Sequence, residues 1–168
     1  MLSPASPRLR AGVRALVLDE QDRVLLCRFA FDKPEGQLVV WGTPGGGVEP
    51  GETLLAALRR ELAEEIGLAL TADPPHVWHQ EVVRAGHFDG YDGVLNDIFL
   101  VRTTSFAPRG AWTDDELAGE HITGFRWWTQ QELARYRGTD VFAPRALPAA
   151  LAALLADGPP RRPIPMGL

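Results

Sequence analysis

The chain has 168 residues, 45% of them hydrophobic and 23% charged, with a formal net charge of −5. This length supports one domain with a sizeable core, and an acidic balance without a long basic run argues against a nucleic-acid polymer as partner. No apolar stretch is long enough to cross a bilayer, and a single cysteine, Cys27, cannot form an internal disulfide, so a cytoplasmic protein is the expectation.

Residues 1–12, MLSPASPRLRAG, have no apolar run of the kind a signal peptide needs and are expected to be a loose lead-in to a domain over residues 13–156. VRALVLD (13–19) and RVLLCR (23–28) read as strands joined by a turn at Glu20, Gln21 and Asp22. Cys27, inside the second run, reads as a buried structural thiol. FAFDKPEGQ (29–37) reads as a loop. Arg28 and Lys33 are candidate substrate-binding cations, able to reach a phosphate. Phe29 and Phe31 fit either core or pocket wall, whereas Trp41, ending the short strand LVVW (38–41), fits packing better than base stacking.

Gly42, Pro44, Gly45, Gly46 and Gly47 then form a turn, since this composition suits neither a helix interior nor an ordinary strand. From Thr53 to Ile66 nearly every residue favours a helix, and Gly67 stops it. Leu54, Leu58, Leu62 and Ile66 make one apolar stripe for a core. Glu61, Glu64 and Glu65 stand three and four residues apart, where they repel one another and sit at the helix end that disfavours negative charge. A solvated acidic face, balanced by Arg59 and Arg60, is the simplest explanation of such a cluster. Set against a glycine loop whose carbonyls can turn inward, the cluster instead offers an oxygen-only cation site, suited to Mg²⁺ or Mn²⁺ and not to zinc.

The stretch 46–68 resembles the signature of the Nudix hydrolases, G-x5-E-x7-R-E-U-x-E-E-x-G-U with U bulky aliphatic. It is met by Gly46, Glu52, Arg60, Glu61, Leu62, Glu64, Glu65, Gly67 and Leu68, with no departure at a fixed position. The resemblance implies an α+β fold, an α/β/α sandwich around a mixed β-sheet. It also implies hydrolysis of a nucleoside diphosphate linked to another group X. By the same resemblance Glu61, Glu64 and Glu65 are metal carboxylates, and Gly45 offers a carbonyl to the metal. Glu52 and Arg60 tie loop to helix, with Gly46 and Gly67 as structural motif glycines. Divalent metal between carboxylates and diphosphate would neutralise phosphate oxygens, polarise phosphorus and lower the pKa of bound water. Glu64 and Glu65 are candidates to take the proton, and the motif leaves that choice open.

Beyond the motif, TADPP (71–75) is a linker and HVWHQEVVRA (76–85) a strand with Val77, His79, Glu81 and Val83 on one side. GHFDGYDG (86–93) reads as a hairpin connection or a loop near the pocket, and VLNDIFLVR (94–102) as the next strand. His76, His79 and His87 lack tight metal-ligand spacing, so zinc is not expected. Residues 105–119 read as a polar substrate-side loop with an exposed Trp112. Many Nudix enzymes add a carboxylate from outside the motif, and Glu120 stands where similar proteins place it, ahead of Glu116 and Asp97 as alternatives. ITGFRWW (122–128) reads as a strand, with Trp127 and Trp128 on opposite faces. Thr129 and Glu132 approximate a helix-start capping pattern. LPAALAALLA (147–156) is a helix apolar enough to dock on the domain or on a second copy in a homodimer, and residues 157–168 read as an irregular tail.

The expected activity is Mg²⁺-dependent cleavage of a phosphoanhydride in a small nucleotide, a nucleoside triphosphate or relative. The proline marking the ADP-ribose group is missing between Val82 and Gly86, and Tyr91 is displaced from the dinucleoside-polyphosphate position. An ADP-ribose or nucleotide-sugar pyrophosphatase is the alternative substrate class. A non-catalytic nucleotide-sensing or protein-binding module is the alternative outside enzymology, though no motif carboxylate is missing.

Overall fold

The computed structural model describes residues 3–88 and 90–168. Among these residues, nine strands join in one sheet: β1 (Leu9–Leu18), β2 (Val24–Lys33), β3 (Gly36–Gly42), β4 (Gly45–Gly47), β5 (His76–Phe88), β6 (Tyr91–Arg102), β7 (Ile122–Trp128), β8 (Val141–Ala143) and β9 (Ile164–Met166). Four helices accompany them: α1 (Leu54–Glu65), α2 (Asp114–Gly119), α3 (Gln130–Arg135) and α4 (Leu147–Asp157). The main path runs β8-β3-β2-β1-β6-β5-β9, with β4 on β1 and β7 on β2. Pairs β1–β6, β3–β8 and β5–β9 are parallel and the others antiparallel, so the sheet is mixed as expected.

Hydrophobic faces cover both sides of this sheet. On one side α1 buries Ala57, Leu58 and Leu62 against Val13, Ala15 and Val17. On the other, α4 buries Leu147, Leu151 and Leu154 against Leu16, Leu18, Trp41 and Trp128. The docking face of α4 is therefore filled by its own domain. Burying Leu58 and Leu62 contributes about 1.5–3 kcal/mol each, against a few tenths for each like-charge pair at helical spacing. Packing therefore outweighs the mutual repulsion of Glu61, Glu64 and Glu65.

Local signals set the helix ends. Thr53 caps α1, accepting from the Ala56 N–H, and Gly67, with φ +74°, turns the chain out while its N–H returns to the Leu62 carbonyl. The Thr129–Glu132 capping box begins α3 as expected. A second box, Thr113–Glu116, begins α2 inside the stretch expected to be loop, so residues 105–119 are only partly irregular.

Other expectations change at the edges. Residues 29–37 are not a loop, because β2 continues to Lys33 and returns as β3 from Gly36. The lead-in at residues 1–12 supplies Leu9–Gly12 to β1, whose parallel partner β6 holds it along its full length. The tail at residues 157–168 contributes β9, laid on β5. Of residues 86–93, the described ones are 86–88, which end β5, Gly90, and 91–93, which begin β6, with Phe88 paired to Tyr91. The side chain of His87 lies outside the described residues. Cys27 is buried, and burial pushes its thiol pKa well up, which keeps it a neutral packing group. Trp128 enters the core, while Trp127 faces the other way and donates to the Phe106 carbonyl.

Candidate metal and nucleotide site

The site lies where the sheet opens. β1 meets β2 at Leu18↔Val24, but further back its Gly12–Arg14 segment pairs with β4 instead. The glycine turn thus fills the gap beside β1, and α1 follows it directly. Gly45 has φ +144°, and a Cβ there would collide with the Val13 carbonyl oxygen, so this register needs glycine.

Loop and helix are joined by two sets of contacts. The Gly45 N–H donates to Glu65 Oε2 at 3.1 Å. Arg60 Nε and Nη2 donate to the two Glu52 carboxylate oxygens at 2.9 and 2.8 Å, and Nη2 also reaches the Gly47 carbonyl at 3.0 Å. Its Nη1 donates to Glu61 Oε1 at 2.9 Å and, more weakly, to Glu64 Oε2 at 3.4 Å. The forked guanidinium suits this arrangement as a lysine could not. Hydrogen bonding to Arg60 holds the Glu52 carboxyl down at about 2.

Glu61 and Glu65 are buried, with residue exposures of 5% and 3%. Burial pushes the pKa of Glu61 up, against the pull of Arg60. Burial also pushes Glu65 up to about 8; Arg14 and the Gly45 N–H oppose this, while Glu61 and Glu120 add to it. Oxygen-only donors, partly buried and short of counter-charge, fit a hard divalent cation. Such an ion, when bound, supplies positive charge and Lewis acidity to phosphate oxygens.

The carboxylates border a cleft of about 790 Å³, within the usual range for small-molecule sites. Arg10, Arg14 and Arg84 line it as cations, and Phe29, Phe31 and Trp112 as aromatic walls. Gln80 and Asn96 add amides from neighbouring strands. Glu61, Glu64, Glu65, Gly45, Gly46 and Glu120 all line this cleft, with Glu120 exposed at the C-terminal end of α2. Gly67 stays outside it as the stop of α1.

Other expected residues fall elsewhere. Arg28 and Lys33 do not line the cleft. Arg28 donates to Thr123 Oγ1 on the neighbouring strand, and Lys33 is exposed at the end of β2. Strand alternation explains Arg28, since Phe29 and Phe31 take the cleft-facing positions. Glu116 accepts from the Thr113 N–H and serves as a helix cap. Asp97 points away from the cleft, toward His76 and His79. Arg10 and Arg14 were legible as one strand face with Gly12 between them, but only if the strand starts before residue 13. Trp112, expected exposed, is half-buried.

A family model described as a NUDIX domain matches residues 8–149. The chain belongs to the Nudix hydrolase family. A nucleoside triphosphatase NudI from Enterobacter sp. (strain 638) is 32% identical over 121 residues, covering 70% of this chain and 80% of the relative. Its counterpart from Escherichia fergusonii is 35% identical over 116 residues, covering 67% and 77%. Among solved structures, the E. coli ORF135 protein superposes with a TM-score of 0.64 at 22% identity, covering 94% of this chain and 99% of that one. A MutT NUDIX hydrolase from Burkholderia pseudomallei gives 0.60 at 24%, covering 86% and 97%. These two show the shared fold. This Nudix protein is thus a pyrophosphohydrolase, from a family that generally uses a divalent metal. No helix among its described residues is long and apolar enough to cross a membrane.

The buried carboxylates make the metal-free enzyme sensitive to pH. Because folding raises the Glu65 pKa from 4.5 to about 8, its contribution to stability is complete below 4.5 and is lost as pH rises through about 8. Glu61 shifts in the same direction. With EDTA present, Tm is expected to fall by roughly 5 °C or more between about pH 5 and pH 8.5. Added Mg²⁺ should raise Tm more at the alkaline end, where both carboxylates are ready to bind it. Scanning calorimetry at the two pH values tests this, and a Tm that rises with pH in EDTA would contradict it.

Proposed function

We propose that this Nudix hydrolase is a Mg²⁺-dependent nucleoside triphosphate pyrophosphohydrolase, with Mn²⁺ able to replace Mg²⁺. The observation carrying this reading is the placement of Glu61, Glu64 and Glu65, braced by Arg60 and Gly45, at the border of an arginine-lined cleft. The relatives named nucleoside triphosphatase support the choice of substrate. In this reading the three glutamates and the Gly45 carbonyl hold the metal. Arg10, Arg14 and Arg84 counter the phosphate charge that the metal leaves, and the aromatic walls face the nucleoside. Water oxygen adds to phosphorus, the anhydride P–O bond breaks, and a carboxylate among Glu64, Glu65 and Glu120 takes the proton. A small nucleotide substrate agrees with a cytoplasmic location.

Turnover of a panel of nucleoside triphosphates, ADP-ribose and nucleotide sugars, with Mg²⁺ and with EDTA, tests the proposal. Triphosphates should be converted to nucleoside monophosphate and inorganic pyrophosphate only with metal. Cleavage confined to ADP-ribose or nucleotide sugars would overturn the substrate assignment. Absence of any metal-dependent cleavage would overturn the catalytic one.

A further inference from the structure

The side chains of His76, His79 and Asp97 converge outside the nucleotide cleft. His79 and Asp97 are direct cross-strand partners, with Nδ1 2.9 Å from Asp97 Oδ1. His76 Nε2 lies 3.0 Å from the same oxygen. Simple alternation would put residues 76 and 79 on opposite faces of β5. A register shift between His76 and Trp78 inserts one residue, so both rings arrive on the same side. His76 is further oriented by stacking on Phe99, with ring centroids 4.7 Å apart. Gln80 and Asn96, the neighbours of His79 and Asp97 along their strands, line the cleft, so the cluster occupies the other face of the cleft wall.

We propose that His76, His79 and Asp97 form a second metal site, selective for a borderline transition-metal ion of the zinc class. A donor atom from each residue lies within 4.8 Å of the others, and Zn²⁺ with bonds of about 2.0–2.2 Å reaches all three after small side-chain shifts. His76 Nε2 is buried and, despite its nearness to Asp97, makes no aligned hydrogen bond among the described residues, so a buried nitrogen is aimed into the cluster. Asp97 is mostly buried and supplies the negative charge. The His76 and His79 side chains are 32% and 37% exposed, leaving room for water as a further ligand. Two imidazoles and one carboxylate favour zinc over Mg²⁺, opposite to the oxygen-only glutamate cluster. The occupied site joins β5 to β6 directly behind Gln80 and Asn96 and stiffens that wall.

Zn²⁺ titration of the full-length protein in excess Mg²⁺, followed by calorimetry, tests the site with the glutamate cluster already occupied. The parent should take up one Zn²⁺ per chain and gain Tm. His79→Ala and Asp97→Asn should lose affinity about tenfold or more, lose the gain in Tm, and retain Mg²⁺-dependent turnover. Glu64→Gln should bind Zn²⁺ like the parent. In the parent, Co²⁺ should give the strong visible absorption of a four-coordinate ion, a readout independent of whether any variant folds. Absence of Zn²⁺ uptake and of that Co²⁺ spectrum in the parent would show a hydrogen-bonded cluster only and overturn the proposal. Uptake unchanged in folded His79→Ala would overturn it as well.

Discussion

Glu65→Gln is expected to lower metal-dependent nucleotide hydrolysis by on the order of 10²–10⁴-fold, whether Glu65 acts through the metal or as the base. The substitution is nearly isosteric. The Gln carbonyl oxygen can still accept from the Gly45 N–H, the contact Glu65 Oε2 makes at 3.1 Å, so the loop should keep its place. Without metal, the variant should melt at or above the parent near pH 8, because burial that resists ionisation of Glu65 does not act on an amide. Loss of activity without loss of stability separates a chemical role from a structural one. Glu120→Gln should cost less, since Glu120 is exposed and reaches the cleft from the end of a short helix. A folded Glu65→Gln protein that hydrolyses as fast as the parent would show that the assigned site is wrong.

Arg60→Ala is expected to destabilise the protein strongly for a side chain outside the hydrophobic core. Arg60 bonds Glu52 through both carboxylate oxygens and also reaches the Gly47 carbonyl, Glu61 and Glu64. Its removal leaves the buried Glu61 without its guanidinium and unties the glycine loop from α1. Breaking a buried pair in this way costs about 3–5 kcal/mol, and the partial exposure of Arg60 (24%) lowers the expected loss to about 2–3 kcal/mol. Urea unfolding in EDTA measures it. Acid should shrink the loss, because Glu61, already pushed up by burial, then takes a proton and needs no counter-charge. Mg²⁺ should recover part of it by neutralising the same carboxylates. Arg60→Lys should recover little, because one ammonium cannot span Glu52, Gly47 and Glu61 together. A loss below about 0.5 kcal/mol would place these contacts among ordinary surface pairs.

The chain by itself determined what depends on short spacing. Glu61, Glu64 and Glu65 fall on one side of a helix because of its period. Thr53, Thr129 and Gly67 mark helix ends because capping and left-handed turns are local events. Through its resemblance to the Nudix signature the complete motif implied the family and its fold, and the helix period placed the three carboxylates together. Tertiary structure decided what depends on strand pairing. Arg10 reaches the cleft because β1 begins at Leu9, held by β6 from a distant part of the chain. Arg28 misses it because Phe29 and Phe31 hold the cleft-facing positions on β2. His76 joins His79 because a register shift against β6 overrides alternation, a feature set by the partner strand. Helical faces and caps follow from residues a few positions apart, whereas the face a strand residue presents depends on which partner it meets and in what register.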